Sequence, residues 1–531
     1  MGNCASGAQN AFAFAAAVEG GHIPDVSTLT YQGVFNEHLF YAGEPATGIM
    51  EATSFPIMKD GKPWLAIYLK SLLDGQPRDA TPIDLSVVID VSGSMSCGMS
   101  NEEGNACGNA LSRLDCAKRA VSWLVKEVLR PNDRIALSTF NNTGHRLHGL
   151  TELAAMDKER WLEACDTLTP SGGTTLCAGM EIGREAFGND PDSSSTSRTR
   201  RILFLTDMQE MGAGELGKDI AKYAAEDVFV GIVGMGVEFN ADLTDTVTKN
   251  KGSIYSSATN VEELRQIIVD DFDFNSFPAA FDVSLSIRSG DLDVEAVYGT
   301  PFDHSDRADL TVGWSEDRHQ LYAPESRAAA ESLILCSLSA GAPLPMDCVS
   351  KVISRLDPPR QSVTEVNTFF PGRVTDSCIK GGLVLVQLAP KAGGVPVSAS
   401  SLELTLEYTD RAGKGHTQTD PAISFATPYM SGSLAGQDAR IAHGLEKGLQ
   451  LHAYCQICRE HMELASSTRK EQLGDVEDVC VRLEQQLGEV KATLSDQRFL
   501  AFDAAMADKL CHSADAFIES FASAVGREPK A

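Results

Sequence analysis

The sequence predicts an α/β domain with a doubly wound parallel sheet, inserted into a split β-sandwich and followed by a C-terminal helical bundle. Between residues 83 and 274, short apolar strand patterns alternate with helical patterns, which is typical of a parallel sheet covered by helices on both faces. Residues 278 to 430 contain strand patterns separated by turn residues, which indicate an antiparallel sandwich. From 433 to 526, apolar residues recur at helical spacing, with charged residues on the other face.

Length and charge restrict the class of protein. A chain of 531 residues is too long for one hydrophobic core and predicts roughly two to four domains. Its 73 acidic and 45 basic residues give a net charge of −28, which repels phosphate backbones, so we expect no nucleic-acid partner. Two interpretations of the acidic surface remain open, namely that it binds a specific basic partner or that it only aids solubility. Thirteen irregularly spaced cysteines are typical of buried thiols in a reducing compartment.

The first candidate site follows the strand DLSVVID, predicted at residues 84 to 90. Its apolar centre indicates a buried parallel strand, and the chain then breaks at Ser92-Gly93-Ser94. Loops at the carboxyl ends of such strands hold ligands in open α/β sheets. Residues two apart in an extended loop point the same way, so Asp90, Ser92 and Ser94 are expected to share one crevice. Their hard oxygens suit Mg²⁺, Mn²⁺ or Ca²⁺ better than zinc.

Two further segments supply oxygens of the same kind. A glycine-rich loop, SGGTTL at 171 to 176, presents Thr174, and the apolar strand RRILFLTD ends in Asp207. The motifs DVSGS, GGT and LTD, in this order, resemble the metal-ion-dependent adhesion site of von Willebrand factor type A domains, and the resemblance covers residues 83 to 274. It implies a Rossmann-like fold and a metal site with Mg²⁺ as the expected occupant. The ligands that it implies are Asp90, Ser92, Ser94, Thr174 and Asp207.

The chain departs from this family in two places. The family commonly has glycine after the last aspartate, whereas this chain has Met208. The loop between Ser96 and Leu114 is longer than usual and carries Glu102 and Glu103. One hypothesis is that this acidic insertion gates the metal or donates a carboxylate to it. The alternative is a solvated insertion without a role at the site.

The N-terminus matches a lipidation pattern. Gly2 after the initiator Met, with Ser6 at the preferred position, predicts N-myristoylation, and Cys4 stands where palmitoylation commonly follows. Because one acyl chain holds a membrane only marginally and no basic residue occurs before Lys59, the second chain is needed. We expect the protein on the cytoplasmic side of a plasma membrane or endomembrane, and in the cytosol if it is not acylated. The alternative is a fortuitous Met-Gly start.

The predicted domain boundaries follow from these patterns. Strand-like runs such as TYQGVF and PWLAIYLKSL between residues 29 and 73 are too few to form a stable domain, so they are expected to pair with later strands. Strings such as FFPGRV and LEYTDRAG resemble plant RING-type ubiquitin ligases that carry a type A domain, although no RING ligand set is present. The predicted units are a flexible acylated tether at 1–27, sandwich strands at 28–80, the type A domain at 83–274, the β-sandwich at 278–430 and the helical bundle at 433–526.

These features predict a membrane-anchored intracellular adaptor. Few negative ligands leave a bound cation electrophilic, and an open coordination position then favours a carboxylate from a protein partner that presents an Asp or Glu. The alternatives are a component of a ubiquitin-ligase-like or other enzyme assembly, and a structural scaffold in which the metal only braces three loops. We expect no enzymatic activity, because Ser92 and Ser94 lack an adjacent histidine and no Walker, zinc-protease or kinase motif occurs.

Overall fold

The computed structural model describes residues 11–99, 111–188, 198–207, 213–236, 247, 250–300, 360–392, 394–430, 438–466, 476–495 and 497–527. The helices in these ranges are α1 (Ala11–Glu19), α2 (Tyr31–Glu37), α3 (Arg113–Trp123), α4 (Lys158–Asp166), α5 (Leu176–Glu185), α6 (Ala213–Ala225), α7 (Val261–Arg265), α8 (Phe272–Ser276), α9 (Ala439–Ala465), α10 (Val476–Leu494) and α11 (Gln497–Ala524).

The strands of the same ranges are β1 (Leu39–Phe40), β2 (Glu51–Lys59), β3 (Lys62–Lys70), β4 (Ile83–Asp90), β5 (Arg134–Phe140), β6 (Gly144–Glu152), β7 (Thr199–Thr206), β8 (Val228–Met235), β9 (Ile254–Ala258), β10 (Ala280–Arg288), β11 (Leu292–Tyr298), β12 (Gln361–Phe369), β13 (Val374–Thr375), β14 (Cys378–Lys380), β15 (Leu383–Pro390), β16 (Ser401–Asp410), β17 (Gly415–Ser424) and β18 (Tyr429–Met430). The strand patterns at 308–314 and 328–340 lie outside the described residues.

The α/β domain contains a six-stranded sheet in the order β6-β5-β4-β7-β8-β9. Neighbouring strands are parallel except for β6, which runs antiparallel along the edge. Every residue of β4 and of β8 is buried, as expected for strands covered on both faces. The strand order reverses between β4 and β7, and in open α/β sheets the crevice at such a reversal is where ligands bind.

Helices cover both faces of this sheet. Leu114 of α3, Trp161 of α4 and Leu264 of α7 belong to one buried cluster, together with apolar residues of β4. Met180 of α5 and Ile220 of α6 belong to a second cluster on the opposite face. The helical patterns between the strands therefore have the doubly wound arrangement that the sequence predicts.

Two antiparallel layers form the β-sandwich. One sheet has the order β12-β10-β16-β17 and the other the order β11-β15-β3-β2-β18, with β18 parallel to β2. Strands β2 and β3 precede the α/β domain in the chain, yet β3 pairs with β15 from Trp64 opposite Gln387 to Tyr68 opposite Leu383. The α/β domain is thus inserted between strands of one sandwich, and the predicted fold class is confirmed.

The C-terminal helices pack on the outer face of the five-stranded sheet. Trp64 and Tyr68 of β3 share a buried cluster with Leu449 of α9 and Leu487 of α10. Cys455 and Cys458 of α9 are buried in the same cluster. None of the helices in the described ranges is both long and apolar enough to cross a membrane.

Two N-terminal segments differ from the prediction. The predicted tether contains α1, whose Phe14 ring lies 5.8 Å from that of Phe517, because a run rich in alanine has high helix propensity and its apolar residues find partners in the bundle. The strand-like run TYQGVF instead begins α2. The Thr30 side chain caps this helix by accepting a hydrogen bond from Gly33 N, and Tyr31 and Val34 have helical rather than alternating spacing.

Glu37, the last residue of α2, carries a buried carboxyl group. Among the described residues, neither of its carboxyl oxygens has a hydrogen-bond partner. It lines a cavity of about 30 Å³ together with Phe14, Tyr454 and Leu510. The cavity is large enough for a water molecule, but these three neighbours give it a largely apolar wall. Burial raises the pKa of this carboxyl to about 8, because the charged form is desolvated.

The raised pKa of Glu37 predicts a pH-dependent gain in stability for Glu37→Gln. The folded state keeps the proton up to about pH 8, whereas the unfolded chain releases it near its ordinary value of 4.5. Stability is therefore lost as pH rises through this window. We expect the melting temperature of Glu37→Gln to exceed that of wild type by more at pH 8 than at pH 5. The exposed Glu19→Gln serves as control, and equal differences at both pH values would contradict the assignment.

Candidate metal site

Three loops meet at the carboxyl end of β4. Val91 N donates to Phe140 O at the end of β5, over 2.9 Å, and Ser171 N donates to Val91 O over 2.7 Å. Gly93 N donates to Gly172 O over 3.0 Å. These backbone bonds hold the glycine-rich loop against the first motif, so that two of the three predicted segments are directly joined.

Asp90 is the innermost residue of the site. It ends β4 and is fully buried. Its Oδ1 accepts a hydrogen bond from Ser92 N over 2.8 Å, and its Oδ2 accepts one from the Thr206 hydroxyl over 2.7 Å. Burial raises the pKa of Asp90 to about 6, and the charge of nearby Asp207 acts in the same direction. The two hydrogen bonds fix the carboxylate plane relative to β4 and β7.

The two hydroxyl groups of the first motif lie next to each other. Ser92 Oγ and Ser94 Oγ lie 3.0 Å apart, close enough to share one ligand or one hydrogen bond. Ser92 is buried, whereas Ser94 is half-buried and so is partly accessible to solvent. A single 3₁₀ turn, Gly93–Ser96, follows Ser92 and keeps the loop compact.

Thr174 lies on the adjacent loop and is half-buried. This loop is fixed by Asn141, whose Nδ2 donates to Ser171 O over 3.0 Å. Gly172 has a φ of 80°, and a Cβ there would stand 3.0 Å from Asn141 Nδ2. Glycine is therefore required both by the backbone conformation and by the space. Sequence reasoning missed Asn141, although its position after an apolar strand of the same sheet is the signal that could have identified it.

Asp207 follows β7 and is buried beside an arginine that sequence reasoning missed. Arg113 Nη1 donates to Asp207 Oδ2 over 2.8 Å, and the two side chains are 5% and 0% exposed. The other oxygen, Asp207 Oδ1, is buried and has no hydrogen-bond partner in the described part of the chain. A buried carboxylate oxygen without a donor is the kind of atom that a cation or a bound water satisfies.

The donor set fits a hard divalent cation. It offers carboxylates from Asp90 and Asp207 and hydroxyls from Ser92, Ser94 and Thr174. Within the described ranges, no cluster of three or more His, Cys, Asp or Glu side chains is placed to hold a metal. Two carboxylates completed by hydroxyl and water oxygens form an all-oxygen donor set, which suits Mg²⁺ better than zinc. Other predicted positions lie outside the described residues, namely Gly2, Cys4, Glu102, Glu103 and Met208.

Comparison with known proteins identifies the α/β unit. Residues 85–210 match the sequence model described as the von Willebrand factor type A domain. No curated protein matches the chain. A von Willebrand factor type A protein from Catenulispora acidiphila is 12% identical with a TM-score of 0.43, over 90% of this chain and 98% of that chain. The ArnB paralog VWA2 from Sulfolobus acidocaldarius is 12% identical with a TM-score of 0.37, over 90% of this chain and 97% of that chain.

The bond between Thr206 and Asp90 predicts a stability loss for Thr206→Val. This nearly isosteric change removes a donor from a buried carboxylate, so we expect the free energy of unfolding to fall by about 1–3 kcal/mol. Chemical denaturation of the full chain in EDTA, followed by circular dichroism, measures the loss. Thr143→Val is the control, because Thr143 is exposed and its hydroxyl bonds to the exposed His145 at this end of the sheet. Equal stability of wild type and Thr206→Val would refute the assigned bond.

Proposed function

Because residues 85–210 form a von Willebrand factor type A domain, we propose that this chain is an adaptor that recognises a carboxylate of a protein partner through a divalent metal, with Mg²⁺ as the preferred ion. Domains of this type generally bind protein partners. The observation that carries the proposal is the buried Oδ1 of Asp207, which has no hydrogen-bond partner within the described ranges and lies at the same sheet edge as Asp90. A donor set that is incomplete without a cation supports a binding role.

The residues of the site would have different roles in binding. Asp90, Ser92, Ser94, Thr174 and Asp207 would hold the ion, directly or through water. When bound, Mg²⁺ would supply an electrophilic position for an oxygen anion. Asp90 is held in place by Ser92 N and the Thr206 hydroxyl, and so needs little reorganisation on binding. Ser94 and Thr174 are half-buried and so are more accessible to solvent than the buried Asp90, Ser92 and Asp207.

The small number of negative ligands supports a carboxylate as the recognised group. Of the five side chains, three are neutral hydroxyls, so a cation at this position keeps attraction for a further anion. An Asp or Glu of a partner would form a charge-assisted contact that is desolvated on binding. The same geometry would be poor for catalysis, because among the described residues the hydroxyls of Ser92 and Ser94 bond to each other rather than to a histidine.

The experiment compares two buried aspartates at opposite ends of β4. Asp90→Asn removes one of two carboxylate charges, and we expect the affinity for Mg²⁺ in isothermal titration to fall about tenfold or more. Asp84→Asn is the matched control, because Asp84 is 2% exposed and pairs with Arg134 and Arg198 at the amino end of the strand. We expect Asp84→Asn to lower the melting temperature while it binds Mg²⁺ like wild type.

A second arm tests the partner. Affinity capture with the full chain, analysed by mass spectrometry in Mg²⁺ and in EDTA, is expected to give proteins that depend both on the metal and on Asp90. A set of captured proteins unchanged by EDTA and by Asp90→Asn would remove the metal-dependent role. Unchanged Mg²⁺ binding by Asp90→Asn would remove the site itself.

The proposal places this adaptor at the cytoplasmic face of a membrane. Its support is the sequence pattern at Gly2 and Cys4, together with the short distance along the chain to α1, which begins at Ala11. Nine residues span at most about 30 Å when extended, so two acyl chains would keep the helical bundle close to the lipid surface.

Gly2→Ala tests the anchor. Without an acceptor for the myristoyl group, we expect the chain to move from the membrane fraction to the soluble fraction of expressing cells, with Cys4→Ser giving partial release because one acyl chain holds only marginally. Metabolic labelling with a myristate analogue measures the modification directly. Asn10→Ala is the control, because it lies in the same segment and leaves the pattern intact. Absence of label on wild type would overturn the anchor and leave the metal site unaffected.

A further inference from the structure

Arg113 is placed where it determines the charge of the candidate metal site. It is the first residue of α3, directly after the Ser112 cap, and its Nη1 lies 2.8 Å from Asp207 Oδ2. Both side chains are almost completely removed from solvent. The carboxylate of Asp207 therefore faces a guanidinium cation inside the domain.

Several contacts hold this guanidinium in place. Arg113 Nε donates to Gly98 O over 3.3 Å, and the backbone N of Arg113 donates to Cys97 O over 2.8 Å. On another side, Gly236 approaches so closely that a Cβ there would stand 2.8 Å from Arg113 Nε, and its φ of 107° also requires glycine. The site therefore includes an arginine in a fixed position, contacted by the segment after the first motif and by the end of β8.

The arginine uses only one oxygen of Asp207. Oδ2 accepts its hydrogen bond, while Oδ1 remains buried and without a donor in the described ranges. Asp90 and Asp207 together carry two negative charges, and Arg113 cancels one of them. The summed charge of these three groups beside Oδ1 is therefore −1 with the arginine and −2 without it, and at this depth the difference is weakly screened.

We propose that Arg113 is an internal counter-charge, a positioning residue that weakens the hold of the site on its divalent cation and so keeps that cation electrophilic toward the partner's carboxylate. This inference rests on the proposed metal-dependent function and names the residue that regulates it. It also explains how a site with two buried carboxylates is stable before a metal binds, since the ion pair compensates the charge of Asp207.

A purely structural ion pair would have the opposite effect. If Arg113 only held Asp207 in position, its removal would disorder a ligand and weaken cation binding. If it acts as a counter-charge, its removal strengthens cation binding while it lowers the stability of the metal-free protein. The direction of the change in affinity therefore distinguishes the two roles.

The test measures the dissociation constant of Mn²⁺, by electron paramagnetic resonance of the free ion, for the full chain and a series of variants. Arg113→Gln and Arg113→Met remove the charge, and we expect tighter binding by about tenfold or more. Arg113→Lys keeps a charge on a shorter side chain, and we expect an intermediate gain. The control is Arg134→Gln, which breaks the pair with Asp84 at the far end of the sheet and is expected to leave Mn²⁺ binding unchanged.

Folding is checked by circular dichroism in EDTA, where the neutral variants are expected to melt below wild type. If both neutral variants fail to fold, the Mn²⁺ affinity of Arg113→Lys alone distinguishes the counter-charge from a purely structural ion pair. Unchanged or weaker Mn²⁺ binding by the folded variants would overturn the inference and leave the proposed function standing. Binding by the variants but not by wild type would support the counter-charge and overturn the metal-dependent function. Absence of binding in all of them would overturn both.

Discussion

The site depends on one buried carboxylate, that of Asp90. It stands at the end of the central strand, between β5 and β7, where neither face of the sheet reaches solvent. Leaving this carboxylate without donors would cost several kcal/mol, on the order of the whole stability of a domain. The bonds from Ser92 N and the Thr206 hydroxyl reduce that cost, and both require the loops to adopt the conformations described above. The arrangement of the site is thus a condition for folding this domain as well as for binding.

Strand β7 connects that site to the β-sandwich. At one end it leads into Asp207, and near its start Arg201 is fully buried between the two domains. Arg201 donates to Ser276 O over 3.2 Å and to Gly252 O over 3.1 Å, and its guanidinium lies 5.6 Å from the Phe370 ring. Burial lowers the pKa of Arg201 to about 9, because the charged guanidinium is desolvated. One strand therefore connects the domain interface to Asp207 of the candidate metal site.

The sequence predicts what local patterns determine. Apolar runs ending in Asp90 and Asp207 identify buried strands and place both carboxylates at one sheet edge, because parallel strands share their direction. Arg113 could not be predicted, since its contact with Asp207 joins positions 94 residues apart and depends on how α3 docks. The helix α2 was missed for a different reason. Its short run, TYQGVF, fits both the two-residue period of a strand and the 3.6-residue period of a helix. Only the recognition of Thr30 as an N-cap decides for the helix.

The interface between bundle and sandwich contains two ionisable groups that oppose each other. His452 is enclosed by aromatic rings, with centroids 4.2 Å from Tyr298 and 5.2 Å from Trp64, and neither ring nitrogen has a hydrogen-bond partner among the described residues. Burial lowers its pKa to about 3, so the folded state loses stability as pH falls below 6.5, the ordinary value. Glu37 destabilises the folded state in the other direction, as pH rises above 4.5. Between pH 4.5 and 6.5 both groups oppose folding, each by part of its full penalty, whereas outside this range the penalty of one group alone grows. Apolar packing therefore holds the helices on the sheet against a buried carboxyl at high pH and a buried imidazole at low pH.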